Sequence, residues 1–210
     1  MDMPSDDMNK DTSAKPLSVV VLGKGVVGKT SLIYRFVKDA FPEAHDPTIE
    51  DNYKAMVEIN NESIEIQIVD TAGEEDYQNM LDQWIDVADG FLLVFAINDK
   101  ESFNALKGKY DRIMKVKGSN CPIILVGNKC DLESSREVQE AEAKELAQSW
   151  NCEYVETSAL KEINCKTPFI SLSSKLVKEK KKGKVNEEMP TKKEKDNKWG
   201  CFKLYKCIIF

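Results

Sequence analysis

The 210-residue sequence predicts an α/β fold, a mainly parallel sheet with helices on both faces. Three observations point there. Apolar periodicity alternates along the chain between short strand-like runs and longer helix-like stretches. Two alternating segments flank Asn60 and Asn61, the pattern of an antiparallel hairpin. A glycine-rich turn joins the first apolar run directly to the first helical pattern.

LSVVVLG (17–23) is β-branched, apolar on both faces and closed by glycine, as a buried parallel strand should be. TSLIYRFVKD (30–39) sets Leu32, Ile33, Phe36 and Val37 on one helical face. The hairpin arms are NYKAMVEI (52–59), alternating through Tyr53, Ala55, Val57 and Ile59, and SIEIQIVD (63–70), through Ile64, Ile66 and Ile68. GFLLVFAIN (90–98) and PIILVGNKCD (122–131) read as buried strands. Between them ESFNALKGKYDRIMKVK (101–117) places Phe103, Leu106, Tyr110, Ile113 and Met114 at helical spacing. Gly108 costs that helix about 1 kcal/mol relative to alanine. REVQEAEAKELAQSW (136–150) predicts a helix and CEYVETSA (152–159) a strand. Thr167 as N-cap with Pro168 at the first helical position begins a last helix carrying Phe169, Leu172 and Leu176. In such a sheet the ligand belongs at the carboxyl ends of the strands.

Composition divides the chain. Residues 171–210 hold 12 lysines against 5 acidic residues, whereas the preceding 170 hold 18 basic and 31 acidic, a +7 tail on a −13 body. The body repels nucleic acid and the tail suits an anionic surface. Residues 1–15 are expected to be a disordered lead-in: they contain no apolar stretch of a secretion signal, and Asp2 stands where myristoylation needs glycine. Residues 16–180 form the folded domain, and 181–210 a flexible basic appendage with few aliphatics before its end. No apolar run approaches the roughly 18–20 residues of a membrane span. The six cysteines show no metal-ligand spacing, so Cys121, Cys130 and Cys152 are expected to be small buried hydrophobes in a reducing compartment.

Four segments carry chemistry. GKGVVGKTS (23–31) satisfies the phosphate-loop pattern between a predicted strand and helix. Its residues Gly23, Lys24, Gly25, Val26, Val27, Gly28, Lys29, Thr30 and Ser31 would wrap phosphates with backbone N–H groups, aided by the positive helix end. Lys29 reaches the outer phosphates and Thr30 ligates Mg; the loop alone does not distinguish ATP from GTP. NKCD (128–131) makes that distinction, because the Asp131 carboxylate only accepts hydrogen bonds and guanine presents two donors to it. Lys129 lays its stem along the base, and Asn128 closes the strand. DTAGEEDY (70–77) begins where a strand ends, directing Asp70 toward Mg through a water and letting Gly73 present its N–H to the γ-phosphate. DPTIEDNY (46–53) offers Thr48, whose hydroxyl can coordinate Mg only while the γ-phosphate is present.

These segments, in this order, resemble the Ras family of small GTPases across residues 17–180. GKGVVGKTS is similar to its phosphate loop, DPTIED to its first switch and effector loop, DTAGEEDY to its second switch, NKCD to its base-reading loop and ETSAL (156–160) to its last nucleotide loop. The resemblance implies a phosphate-loop NTPase of the small G-domain type, six strands with one antiparallel hairpin strand. It implies a switch that binds GTP or GDP with Mg and hydrolyses GTP. Phe41 would pack on the guanine, and Ser158, Ala159 and Leu160 would line the base, Ala159 through its N–H. Lys29, Thr48, Gly73 and Glu74 would be the catalytic set, with Glu74 at the water-orienting position where the family has glutamine. Asp46, Pro47, Thr48, Ile49, Glu50, Asp51, Asn52 and Tyr53 would meet Ras-type effectors, with exchange factors and GTPase-activating proteins upstream. The chain departs from the pattern at Val26 (a glycine in the family), His45 (a tyrosine) and Leu160 (a lysine), each a change that speeds nucleotide loss slightly.

The terminal CIIF (207–210) is a C-a-a-X box, whose last residue favours geranylgeranyl over farnesyl on Cys207. Cys201 is either a palmitoylation site or a free thiol. A prenyltransferase substrate with neighbouring lysines would sit on the cytoplasmic face of an anionic membrane, the plasma membrane being the expected one. Two other classes compete: a GTP-binding module with negligible hydrolysis, favoured by Glu74, and a metabolite kinase, opposed by NKCD.

Overall fold

The computed structural model describes residues 15–42, 50–71, 73 and 78–187. The apolar run at the start of the chain becomes β1 (Leu17–Gly23), nearly all of it buried because sheet neighbours and helices enclose it on every side. β2 (Glu50–Ile59) and β3 (Glu62–Thr71) are the antiparallel pair, joined at Asn60 and Asn61, both left-handed at φ 53° and 64°. β4 (Gly90–Ala96), β5 (Ile123–Asn128) and β6 (Glu153–Glu156) complete a six-stranded sheet in the order β2-β3-β1-β4-β5-β6. Every pairing except β2 with β3 is parallel. Fully buried β4 and β5 explain why those segments lack polar alternation.

Helices cover both faces. α1 (Lys29–Lys38) and α6 (Thr167–Glu187) pack Leu32, Ile33, Phe169 and Leu172 against Val19, Val21 and Val94. α2 (Gln78–Val87), α3 (Lys100–Asn104), α4 (Leu106–Lys117) and α5 (Glu140–Ser149) bury Trp84, Ile85, Phe103, Ile113 and Ala143 against Val20, Phe91 and Phe95. At about 25 cal/mol per Å² of apolar surface, these two layers are the principal source of stability.

The structure differs from the sequence reading in several places, among them the helix expected over 136–150, which begins only at Glu140 because Arg136 and Gln139 are extended. The helix expected over 101–117 breaks at Ala105 into α3 and α4, and Asp99 caps α3 by accepting the Ser102 N–H at 2.9 Å. α2 was not anticipated, although Met80, Leu81, Trp84 and Ile85 have helical spacing. β5 stops at Asn128 because Lys129 turns left-handed (φ 64°) into a 3-10 turn, Cys130–Ser135. α6 continues to Glu187 through residues read as linker, held by Lys180 to Asp89 at 3.2 Å and Lys181 to Glu62 at 3.0 Å. Cys121, Cys130 and Cys152 are half-buried, packed against the core rather than enclosed by it, and Cys165 is the buried one among the described cysteines.

Candidate nucleotide site

The glycine-rich loop leaves β1 and enters α1 through Gly28, left-handed at φ 92°. A side chain there would be strained, and its Cβ would lie 2.5 Å from the Asn128 amide nitrogen. Lys29, 6% exposed, folds back and donates to the carbonyls of Gly23 at 3.3 Å and Lys24 at 3.0 Å. Its ammonium thus spans the loop it follows. Burial pushes its pKa down to about 8, opposed by the charge of Asp70 and aided by that of Lys109. Lys24 pairs with Glu101 at 2.6 Å, Val27 is buried, and Val26 projects to solvent. Thr30 and Ser31 follow in the first turn of α1, both half-buried.

β1 and β3 run side by side with Val21 opposite Asp70, which puts that carboxylate level with the end of β1. Asp70 is fully buried, and its neighbour Thr71 donates to the Val21 carbonyl at 2.8 Å. Gly73 then lies on the phosphate loop itself: a Cβ built there would be 2.1 Å from the Gly25 nitrogen. Only glycine permits that approach. The donors suit Mg, a hard cation usually held by a few protein oxygens together with phosphate oxygens. A buried Asp70 carboxylate and the Thr30 hydroxyl fit that requirement, and among the described residues no cluster of three His, Cys, Asp or Glu forms an all-protein metal cage.

From the other side of the sheet, Asn128 donates to the Val27 carbonyl at 2.9 Å across 101 positions. Its own carbonyl oxygen accepts from Thr157 at 3.1 Å. One buried amide therefore joins the phosphate loop, the NKCD turn and the segment after β6. Ser158 donates its hydroxyl to Asp131 and accepts the Lys161 N–H at 3.0 Å. Ala159 is buried, whereas Leu160 is 56% exposed and Phe41 41% exposed. Lys129 stands half-buried at the turn.

Not every expected residue falls within the described part. Thr48, Glu74, His45, Asp46, Pro47 and Ile49 lie outside it, as do Cys201 and Cys207. Glu50 begins β2, with Asp51 and Asn52 exposed and Tyr53 half-buried on that edge strand.

Sequence reasoning missed one support. Arg136 grips Glu156 with two bonds of 2.8 and 2.9 Å, bonds Glu133, and shares Glu156 with the Tyr154 hydroxyl at 2.7 Å. Burial would raise the Glu156 carboxyl, but the hydrogen bonds from Arg136 and Tyr154 win and hold it below the usual range. This lattice ties the 3-10 turn after Lys129 to β6. No spacing rule predicts it, because Arg136 and Glu156 are 20 positions apart.

A parallel sheet whose first strand runs through a glycine loop into a helix, with an Asn-Lys turn bonded to that loop, defines a phosphate-loop nucleotide-binding domain of the small G-protein type. Residues 18–178 match the sequence model of the Ras family. The chain is also 38% identical over 195 residues to Ras-like protein rasB of Dictyostelium discoideum, covering 91% of this chain and 95% of that one. The chain belongs to the Ras family. It is a small GTPase that binds guanine nucleotide and hydrolyses GTP, within a family governed by exchange factors and GTPase-activating proteins.

Proposed function

We propose that this GTPase is a Mg-dependent, lipid-anchored switch in which Asp131 reads guanine and the two loops at 46–53 and 70–77 report whether the γ-phosphate is present. The observation that carries the reading is the Asn128 amide, which couples the base-reading turn to the phosphate loop at 2.9 Å. A single buried group thus bonds both halves of the expected site.

In this reading Lys29 meets the phosphates as a cation, since a polyanion favours its charged form despite burial. Gly25, Val26, Val27 and Gly28 supply backbone N–H groups, and Gly73 supplies one from the second switch. Thr30 and Thr48, and Asp70 through a water, would hold Mg, which when bound neutralises charge on the phosphates. Glu74 orients the attacking water. Phe41, Lys129, Ser158, Ala159 and Leu160 enclose the base, with Asp131 accepting its two donors. Asp46 to Tyr53, on and before an exposed edge strand, meet Ras-type effectors. Cys207, and Cys201 if acylated, place the protein on the cytoplasmic face of an anionic membrane, expected to be the plasma membrane.

Asp131→Asn tests the base reading. The change replaces an acceptor by a donor, so affinity for GDP should fall while xanthine nucleotide binding rises, each by roughly fivefold to a hundredfold for a mismatch of about 1–3 kcal/mol. Unchanged GDP affinity in the variant would remove Asp131 from that role.

A further inference from the structure

Arg35 lies on α1, outside every motif above, and its side chain is 13% exposed. Its Nε donates to the Ala159 carbonyl at 3.0 Å, across 124 positions. One terminal nitrogen donates to the Asp39 carbonyl at 3.4 Å and pairs with the Glu162 carboxylate. The guanidinium carbon stands 5.9 Å from the centre of the Phe41 ring. One planar fork thus touches the end of α1, the aromatic expected on the base, and the loop whose Ala159 N–H is expected to bond it.

We propose that Arg35 is a positioning residue that holds Phe41 and the Ala159 loop as one base-holding surface and so sets how slowly guanine nucleotide leaves. The proposal rests on the roles given above to Phe41 and Ala159. The loop needs such a hold. It turns through left-handed Glu162 and Asn164 at φ 60° and 53°, conformations that persist only when the surroundings enforce them. Beside Ala159, Leu160 replaces a lysine of the family and points 56% into solvent, so this side of the base depends on the Arg35 contact. A guanidinium can donate along two edges while stacking on an aromatic face, which an ammonium cannot do with the same geometry.

Release of fluorescent GDP, chased with excess unlabelled GDP in Mg buffer, tests this on the full-length protein. Loss of a charge-assisted bond predicts that Arg35→Gln releases GDP about tenfold faster, with the association rate unchanged. Arg35→Lys, keeping charge without the fork, should fall between the two, and Glu162→Gln should show about a twofold rise. Lys166→Gln is the control: Lys166 pairs with Asp39 at 3.1 Å on the same end of α1, yet has no contact with Ala159 or Phe41 among the bonds and ring contacts described, and should release at the wild-type rate. Wild-type release from Arg35→Gln, or a change confined to active fraction or association, overturns the proposal. If Arg35→Gln does not fold, the order Arg35→Lys faster than wild type, with Lys166→Gln unchanged, decides it, and equal rates for all three refute it. Failure of the wild type to bind GDP would instead overturn the guanine reading itself.

Discussion

Val26 carries a left-handed backbone, φ 65°, on a β-branched side chain that is 79% exposed. Nothing about its packing repays the strain of that conformation, which costs on the order of 1–3 kcal/mol. Val26→Gly should therefore stabilise the protein by about 1 kcal/mol once glycine's greater unfolded-state freedom is subtracted, read as a shift of the urea midpoint. An unchanged or lower midpoint would show that the loop relaxes around valine. Glu74 poses the opposite problem, of charge rather than backbone. It keeps an acceptor for water but lacks the amide donor of glutamine, and a carboxylate about 6 Å from a phosphate is repelled by roughly 3 kcal/mol at an effective dielectric near 20. The missing donor matters most in an arginine-assisted transition state. Intrinsic single-turnover GTP hydrolysis should persist while stimulation by an activating protein is weakened, and Glu74→Gln should restore the stimulation. Equal stimulation of both proteins would contradict this. These residues were legible in the sequence because each departs from a motif at a known step; the left-handed angle at Val26 was not, since only the folded loop imposes it.

Among the elements, the 3-10 turn and β6 are held together by Arg136, which is 9% exposed, and Glu156, 21% exposed. Replacing the carboxylate by an amide removes its charge and one of the two oxygens that accept from the guanidinium, so Glu156→Gln should cost about 1–3 kcal/mol at neutral pH. The pH dependence follows from the lowered Glu156 carboxyl. Its contribution is complete above the unfolded value, near pH 4.5, and is lost as pH falls through the folded value. The gap in denaturant midpoint between wild type and Glu156→Gln should therefore narrow from pH 7 to pH 3.5. A constant gap would mean that packing, not charge, carries the effect. Element boundaries were the least legible part of the sequence. The Asp99 cap fixes where α3 begins, whereas the extension of α6 goes with ion pairs to Asp89 and Glu62, partners that no local window contains.

For the whole molecule, a −13 body carries a +7 tail, and in the function proposed above the tail would attach the protein while the body recognises its ligands. Lysines near an anionic leaflet add about 1 kcal/mol each, screened within about 8 Å at physiological salt, whereas one prenyl chain alone binds marginally. Cys207→Ser should leave the protein in the soluble fraction of fractionated cells. Persistent sedimentation with membranes would place the anchor elsewhere. Within the fold, strand and helix alternation, the hairpin and the phosphate-loop and base-reading segments were determined by the sequence alone, because periodicity and turn chemistry act over a few residues. Tertiary structure decided which distant groups meet: Asn128 with Val27, Gly73 with Gly25, Arg136 with Glu156, and Arg35 with Ala159. A hydrogen bond is specified by two positions in space, and parallel strands bring such positions together only after the long crossovers between them have folded.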